Sequence, residues 1–282
     1  MLWVPTAELR LVADSQSGVR PAAAYGTSVT PGNNTYSAYT SLLSATSEDA
    51  DWIEININSI GTSATATDTL VTIGADPAGG TSFADIIPHL LASAASPYFG
   101  SGTAGGVWYR FPLRIKSGTA LGVKATQNNA TPVAANVLVR LYRQSRLDGG
   151  PRIGSYVKTF GAVTATSKGT DVTPGTTADG DWTQLGSAIG ADDNLFFWQI
   201  GMGINSATFS SAAQHLDLGI GDGTNFRTPI LDELVVYNGS EMLAAVYEGA
   251  YAETASGDKI YGRAQGSGSA VTISMIAYAV GG

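Results

Sequence analysis

The chain of 282 residues is predicted to be all-β, built as two tandem repeats of an antiparallel β-sandwich or jelly-roll-like domain. Three observations predict it. The sequence carries an internal duplication that keeps its order over most of the length. Its apolar residues recur with the period of two that belongs to strands. Clusters of Gly, Pro, Asn and Asp punctuate these runs at short intervals, as tight turns between short strands require.

The duplication starts with Gly26-Thr27-Ser28-Val29-Thr30-Pro31-Gly32, which returns 143 residues later as Gly169-Thr170-Asp171-Val172-Thr173-Pro174-Gly175. At the same spacing Tyr39-Thr40-Ser41-Leu42 meets Trp182-Thr183-Gln184-Leu185. Ile57-Asn58-Ser59 then matches Ile204-Asn205-Ser206, Ile73-Gly74 matches Ile220-Gly221, and Ile86-Ile87 faces Ile230-Leu231. Tyr109 stands against Tyr247, Ser117-Gly118 against Ser256-Gly257, and residues 137–142 against 273–278. The spacing drifts by a few residues, as loop insertions make it do. The expected units are 1–146, with an N-terminal arm at 1–25, and 147–282, joined near 147–151.

Each element follows from the local pattern. Residues 51–60 place Trp52, Glu54, Asn56 and Asn58 on one face and Ile53, Ile55 and Ile57 on the other, which reads as a half-buried strand. Residues 83–91 fit either a short helix or an extended edge, and Pro88 favours a short element. Residues 137–142 alternate through Val137, Val139 and Leu141. In the second repeat Leu216, Leu218 and Ile220 alternate, and residues 229–236 are the counterpart of 83–91. Val271, Ile273, Met275 and Ala277 then alternate with Thr272, Ser274, Ile276 and Tyr278. Turns are expected at Thr30-Pro31-Gly32-Asn33, Asp76-Pro77-Ala78-Gly79-Gly80, Thr173-Pro174-Gly175 and Ser256-Gly257-Asp258.

Composition excludes several function classes. Apolar residues make up 44% of the chain, enough for two cores of about 140 residues each. Only 13% are charged, about half the usual share, which excludes a disordered acidic tail. The net charge of −8 repels a phosphate backbone. The nearest approach to a basic patch, Arg140, Arg143, Arg146 and Arg152, is broken by Asp148 and two glycines, so no nucleic-acid partner is expected. There is no cysteine, which removes disulfides, thiolate metal sites and cysteine nucleophiles together. Residues 1–5 show no basic stretch ahead of an apolar core, and no apolar window approaches the roughly 18 residues of a bilayer span. Neither a signal peptide nor membrane insertion is expected.

A search for chemistry returns little. His89 and His215 fall at different places in the two repeats, and no His-Glu-x-x-His, Gly-x-Ser-x-Gly or P-loop pattern occurs. Gly266-Ser267-Gly268 reads as a turn, since a serine nucleophile needs an orienting base. The acidic groups Glu48-Asp49-Ala50-Asp51, Asp179-Gly180-Asp181 and Asp192-Asp193 supply oxygen ligands for Ca²⁺ or a glycosidase carboxylate pair on paper. They do not recur at equivalent positions, as a site inherited by both repeats would, and they read as solvated loops. No enzymatic activity, catalytic residue, cofactor or metal is expected. Trp52, Trp108, Tyr109, Trp182, Phe196, Phe197 and Trp198 read as core or interface residues. The alternative is a sugar-stacking platform, for which Trp108 and Trp182 are the candidates.

Residues 26–35 (Gly-Thr-Ser-Val-Thr-Pro-Gly-Asn-Asn-Thr), 73–82 (Ile-Gly-Ala-Asp-Pro-Ala-Gly-Gly-Thr-Ser) and the closing 273–282 resemble a group of structural proteins encoded by tailed bacteriophages and related prophages. The resemblance covers most of both repeats. It implies a virion component, made in the host cytoplasm, with no assigned enzymatic residue. Its expected place is the tail tip, the baseplate or a fibre; head decoration and host-glycan recognition are the alternatives.

Weakly charged β modules rich in Gly, Ser, Thr and Ala suit surfaces that pack against copies of themselves. The expected partners are therefore the chain itself, most simply as a homotrimer presenting six modules, and other virion proteins. Leu2, Trp3 and Val4 are the candidate docking residues, since an exposed end gains nothing from displaying them. The alternative is a first strand tucked against its own domain.

Overall fold

The computed structural model describes residues 9–15, 26–58, 67–94, 107–128, 130–144, 151–164, 167–204, 213–238, 241–242, 245–246, 249–266 and 272–282. Among these residues the regular structure is all strand. The first repeat contains β1 (Leu9–Asp14), β2 (Thr27–Val29), β3 (Gly32–Asn33), β4 (Thr40–Leu43) and β5 (Trp52–Asn58). It continues with β6 (Thr67–Asp76), β7 (Ala84–Ala94), β8 (Val107–Phe111), β9 (Ala120–Gln127) and β10 (Ala135–Gln144). The second holds β11 (Tyr156–Phe160), β12 (Thr170–Val172), β13 (Thr183–Gly186), β14 (Leu195–Ile204), β15 (Ala213–Gly221) and β16 (Phe226–Asn238). It ends with β17 (Glu241–Met242), β18 (Ala245–Val246), β19 (Ala250–Tyr251), β20 (Lys259–Gly266) and β21 (Ile273–Gly281).

In the first repeat β1 and β2 both pair with β10, followed by β5 and β8, while β3 and β4 both pair with β9, followed by β6 and β7. The second repeat pairs its strands in the same way: β11 and β12 with β21, then β14 and β19; and β13 with β20, then β15 and β16. Leaving aside β1, β3, β11, β17 and β18, each repeat has the two four-stranded sheets of a jelly roll, with first, last, third and sixth strands in one and second, seventh, fourth and fifth in the other. Ile57 pairs with Val137 as Ile204 pairs with Ile273, and Trp52 with Tyr142 as Gln199 with Tyr278. One apolar cluster runs through both repeats.

Turn chemistry explains the tight connections. The Asp76 carboxylate accepts the amides of Ala78 and Ser82, and Gly79 beside it takes φ +75°. Asp222 accepts the amides of Thr224 and Asn225, around Gly223 at φ +100°. An aspartate that bonds its own downstream backbone, with a glycine free to turn left, closes a hairpin at little steric cost.

Several expectations need correcting. Of the two readings of residues 83–91 and 229–236 the extended one holds, in β7 and β16, but Pro88 does not shorten its element: β7 runs from Ala84 to Ala94, and as the end strand of its sheet it loses no ladder bond to the proline. The strand around Ile55 is not half-buried, because Glu54 and Asn56 on its outer face are only 3% and 4% exposed. Two of the matched pairs shift. His89 (φ +63°) and Asp232 (φ +53°) occupy the same bulge, which sets Ile87 against Ile230 and Ile73 against Leu218. Of the expected arm at 1–25, residues 9–14 form β1 on their own sheet. Leu2, Trp3 and Val4, most of the join at 147–151, and Tyr247 lie outside the described residues.

Candidate functional site

Two surfaces gather polar and aromatic side chains in a pattern that recurs in both repeats. The first is the outer face of the second sheet. In the first repeat, Lys124 of β9 reaches both carboxylate oxygens of Asp85 on β7, at 2.7 and 3.0 Å. Its ammonium lies 4.9 Å from the Tyr39 ring centre and 5.2 Å from that of Tyr36. Tyr39 donates its hydroxyl hydrogen bond to Asp85 and packs its ring on Phe83. The Tyr36 hydroxyl is bonded to Nδ1 of His89, whose own amide donates to the Thr72 hydroxyl at 3.1 Å.

Burial governs the titration here. It pushes the Tyr36 hydroxyl up to about 12 and raises Tyr39, with Asp85 adding to the second shift. It lowers the His89 imidazole, against the opposing charge of Asp85. Burial would raise Asp85, but hydrogen bonds from Lys124 and Tyr39 outweigh it and hold the carboxyl below its usual range.

The second repeat rebuilds the cluster with different residues. Arg263 of β20 stands where Lys124 does, its guanidinium 4.5 Å from the Trp182 ring. It pairs with Asp217 at 2.6 Å and Asp179 at 2.8 Å. Trp182 stacks on Phe226 with ring centres 4.8 Å apart, as Tyr39 packs on Phe83. Asp217 accepts the amide of the bulge residue Asp232 at 2.7 Å, the role Thr72 has for His89. In both repeats a cation lies under an aromatic ring and is neutralised by a carboxylate. The cluster ties the segment before β4 or β13 to its sheet.

The second surface is the seam between the repeats. The outer face of β14 carries Gly201 and Gly203 where the first repeat has Glu54 and Asn56. That lets the edge of β7 approach: a Cβ on Gly201 would meet the Tyr109 and Tyr278 hydroxyls at 2.7 and 2.9 Å, and one on Gly203 the Leu91 side chain at 3.1 Å. Tyr278 accepts the Leu91 amide and donates to the His89 carbonyl, Thr159 donates to the Pro88 carbonyl at 2.9 Å, and Tyr109 donates to the Leu91 carbonyl at 2.5 Å. The edge of β8 is met by Gln199, which accepts the Arg110 amide at 3.2 Å, and by β18, which pairs with it in parallel. Exposed edges invite pairing with other chains; here the second repeat covers both.

The residues singled out from sequence are placed as follows. Trp182 is half-buried in the second cluster. Trp108 is half-buried on the outer face of β8, its ring centre 5.4 Å from the Arg140 guanidinium. Arg140 and Arg110 both bind the buried Glu54, at 3.1 and 2.6 Å. The two tryptophans therefore lie on different sheets of different repeats. Of the acidic groups, Glu48 pairs with Arg10 and Arg143, Asp51 with Arg114, Asp179 with Arg263 and Asp193 with Lys158. Among the described residues no three His, Asp or Glu side chains gather as a metal would need. Sequence reasoning missed Lys124, Arg263, Phe83 and Phe226; Phe83 and Phe226 share the spacing of the first matched segment and were open to discovery.

No protein-family profile matches the chain, and no curated protein does. Among solved structures, it is similar to the N-terminal CBM22-1–CBM22-2 tandem domain of Paenibacillus barcinonensis Xyn10C, at 8% identity over 98% of this chain and 92% of that one, with a TM-score of 0.24. It is also similar to the VP2 subviral particle of infectious bursal disease virus, at 10% identity over 98% of this chain and 72% of that one, with a TM-score of 0.27. Likenesses at these scores carry no argument about fold or function. The fold rests on the strand pairing.

Proposed function

We propose that the chain is a non-enzymatic structural component of a bacteriophage virion, a two-module building block exposed at the tail tip, the baseplate or a fibre. The observation that carries this reading is the seam: Gly201, Gly203, Tyr278 and Thr159 of one module are spent on sealing the edges of the other. The carboxylates and cations of the twin clusters likewise bind each other. Polar groups used to hold modules rigidly suit a scaffold, and the resemblance of residues 26–35, 73–82 and 273–282 supplies the particle. The partners in this reading are further copies of the chain, as a homotrimer, and neighbouring virion proteins. Labelling a tagged chain in purified particles tests it. Signal on the tail supports the reading, signal on the head favours a decoration protein, and absence from particles overturns both.

A second reading, a carbohydrate-binding module that recognises a host surface glycan, is supported by one observation. Tyr39 and Trp182 offer half-buried aromatic rings at matching positions of the two repeats. Glycan-array binding lost in both Tyr39→Ala and Trp182→Ala, with folding retained, would favour it.

A further inference from the structure

His89 belongs to both of the surfaces described above. Its ring lies in the aromatic cluster, with Nδ1 bonded to the Tyr36 hydroxyl and the two ring centres 5.7 Å apart. Its carbonyl lies in the seam and accepts the Tyr278 hydroxyl at 3.0 Å. Its amide is tied to the Thr72 hydroxyl at 3.1 Å, in the left-handed backbone of the bulge at φ +63°. With three groups bonded and the backbone confined, whatever displaces the ring displaces the carbonyl as well. The neighbouring seam bonds land beside it: Thr159 donates to the Pro88 carbonyl, and the Leu91 amide donates to Tyr278. The hold of β11 and β21 on β7 is thus gathered on residues 88–91.

The charges that bear on the ring come from three elements. Asp85 of β7 attracts a proton to it, but that carboxylate is already bonded to Lys124 and to the Tyr39 hydroxyl. Lys124 of β9 and Lys168, which precedes β12 in the second repeat, repel a proton. Lys168 is only 6% exposed, and Asp68 of β6 favours its charged form. Tyr36 and Tyr39, ahead of β4, are held protonated by burial. An imidazolium at position 89 therefore meets two ammonium groups, one of them from the other repeat.

We propose that His89 is a pH-sensitive latch on the seam: neutral, it fixes the β7 edge for Tyr278 and Thr159; protonated, it loosens the grip of the second repeat on residues 88–91. Histidine is the side chain that changes charge in this range. The second repeat has no counterpart, since Asp232 fills its bulge with the amide bonded to Asp217.

Native-state hydrogen exchange on the full chain tests this, reading the Leu91 amide against the amides of β5, which pair inside the first repeat. Rates are taken between about pH 7 and 5 and corrected for the intrinsic pH dependence of exchange. Leu91 is expected to exchange through an opening easier than global unfolding. That opening should grow by up to about tenfold with each pH unit of acidification between about 6.5 and the folded value of the ring. His89→Asn should abolish the growth. Lys168→Met leaves the bonds of His89 in place; it should shrink the growth and raise the pH at which the imidazole protonates, read by NMR. Leu91 protected equally with β5 at every pH, a local opening indifferent to pH, a response that persists in His89→Asn, or one undiminished in Lys168→Met overturns the inference.

Discussion

The Tyr278 hydroxyl lies 2.8 Å from the Leu91 amide and 3.0 Å from the His89 carbonyl, so a single side chain of the second repeat does for β7 what a neighbouring strand does elsewhere. Tyr278→Phe keeps the ring packing and removes both bonds from buried backbone. The expected cost is about 1–3 kcal/mol, seen as a lower urea midpoint with an unchanged m-value. An unmoved midpoint would mean that the ring alone carries the contact.

Gly201 is expected to resist even the smallest side chain, because the two tyrosine hydroxyls that a Cβ would strike are held by hydrogen bonds. Gly201→Ala should lose about 1–3 kcal/mol through overpacking. Combined with Tyr278→Phe it should lose less than the two single changes together, since removing one hydroxyl relieves part of the crowding. Strict additivity in a double-mutant cycle would separate the two residues.

Arg263 and Arg10 both bind carboxylates, with opposite consequences. The Asp217 side chain is 3% exposed, so Arg263→Met strands a buried charge and is expected to cost about 3–5 kcal/mol. Arg10 and Glu48 meet in solvent, and Arg10→Met is expected to leave the denaturation midpoint unmoved. Equal effects from the two changes would refute the distinction.

Stability should fall on mild acidification through His89. Its imidazole is lowered by burial; Asp85 of β7 opposes that shift, while Lys124 of β9 and Lys168 of the second repeat add to it. Released by unfolding, the ring returns to about 6.5. Between the folded and unfolded values the unfolded chain binds the extra proton, so stability declines as pH drops below about 6.5 and levels off below the folded value. Asp85, held below its usual range, adds a loss only at still lower pH, where its carboxyl protonates. His89→Asn keeps a residue tolerant of the left-handed backbone. Melting the two proteins between about pH 7 and 5 should give a slope in the wild type that the variant lacks.

Much of the fold was legible from local pattern. The alternation of Ile53, Ile55 and Ile57 against Trp52, Glu54 and Asn56 fixes strand and inward face together, and the repeated Gly-Thr-x-Val-Thr-Pro-Gly segments mark the duplication. What the sequence hid is long-range. Nothing near Glu54 or Asn56 announces that their face is covered. The bulge at His89 and Asp232 recurs at the same place in both repeats, and Lys124 and Arg263 share the spacing of Ser117-Gly118 and Ser256-Gly257. What hid them is that a lone Lys and a lone Arg show no partner until the sheet brings Asp85 and Asp217 beside them. Gly203 has no reason in its local sequence; the approach of the Leu91 side chain supplies it. The candidate site was half visible: Tyr39 and Trp182 aligned, but the cations beneath them come from a strand far along the chain.

The Leu91 amide and the Tyr278 hydroxyl that meets it are 187 residues apart. At a synthesis rate of about 5–20 residues per second, β7 emerges roughly 10–40 s before its cover exists. During that interval the nascent first repeat offers a long, bare, largely apolar edge to every neighbour on the same message. Its maturation is therefore timed by elongation, and slowing translation between the repeats should raise the fraction lost to chaperones or aggregates.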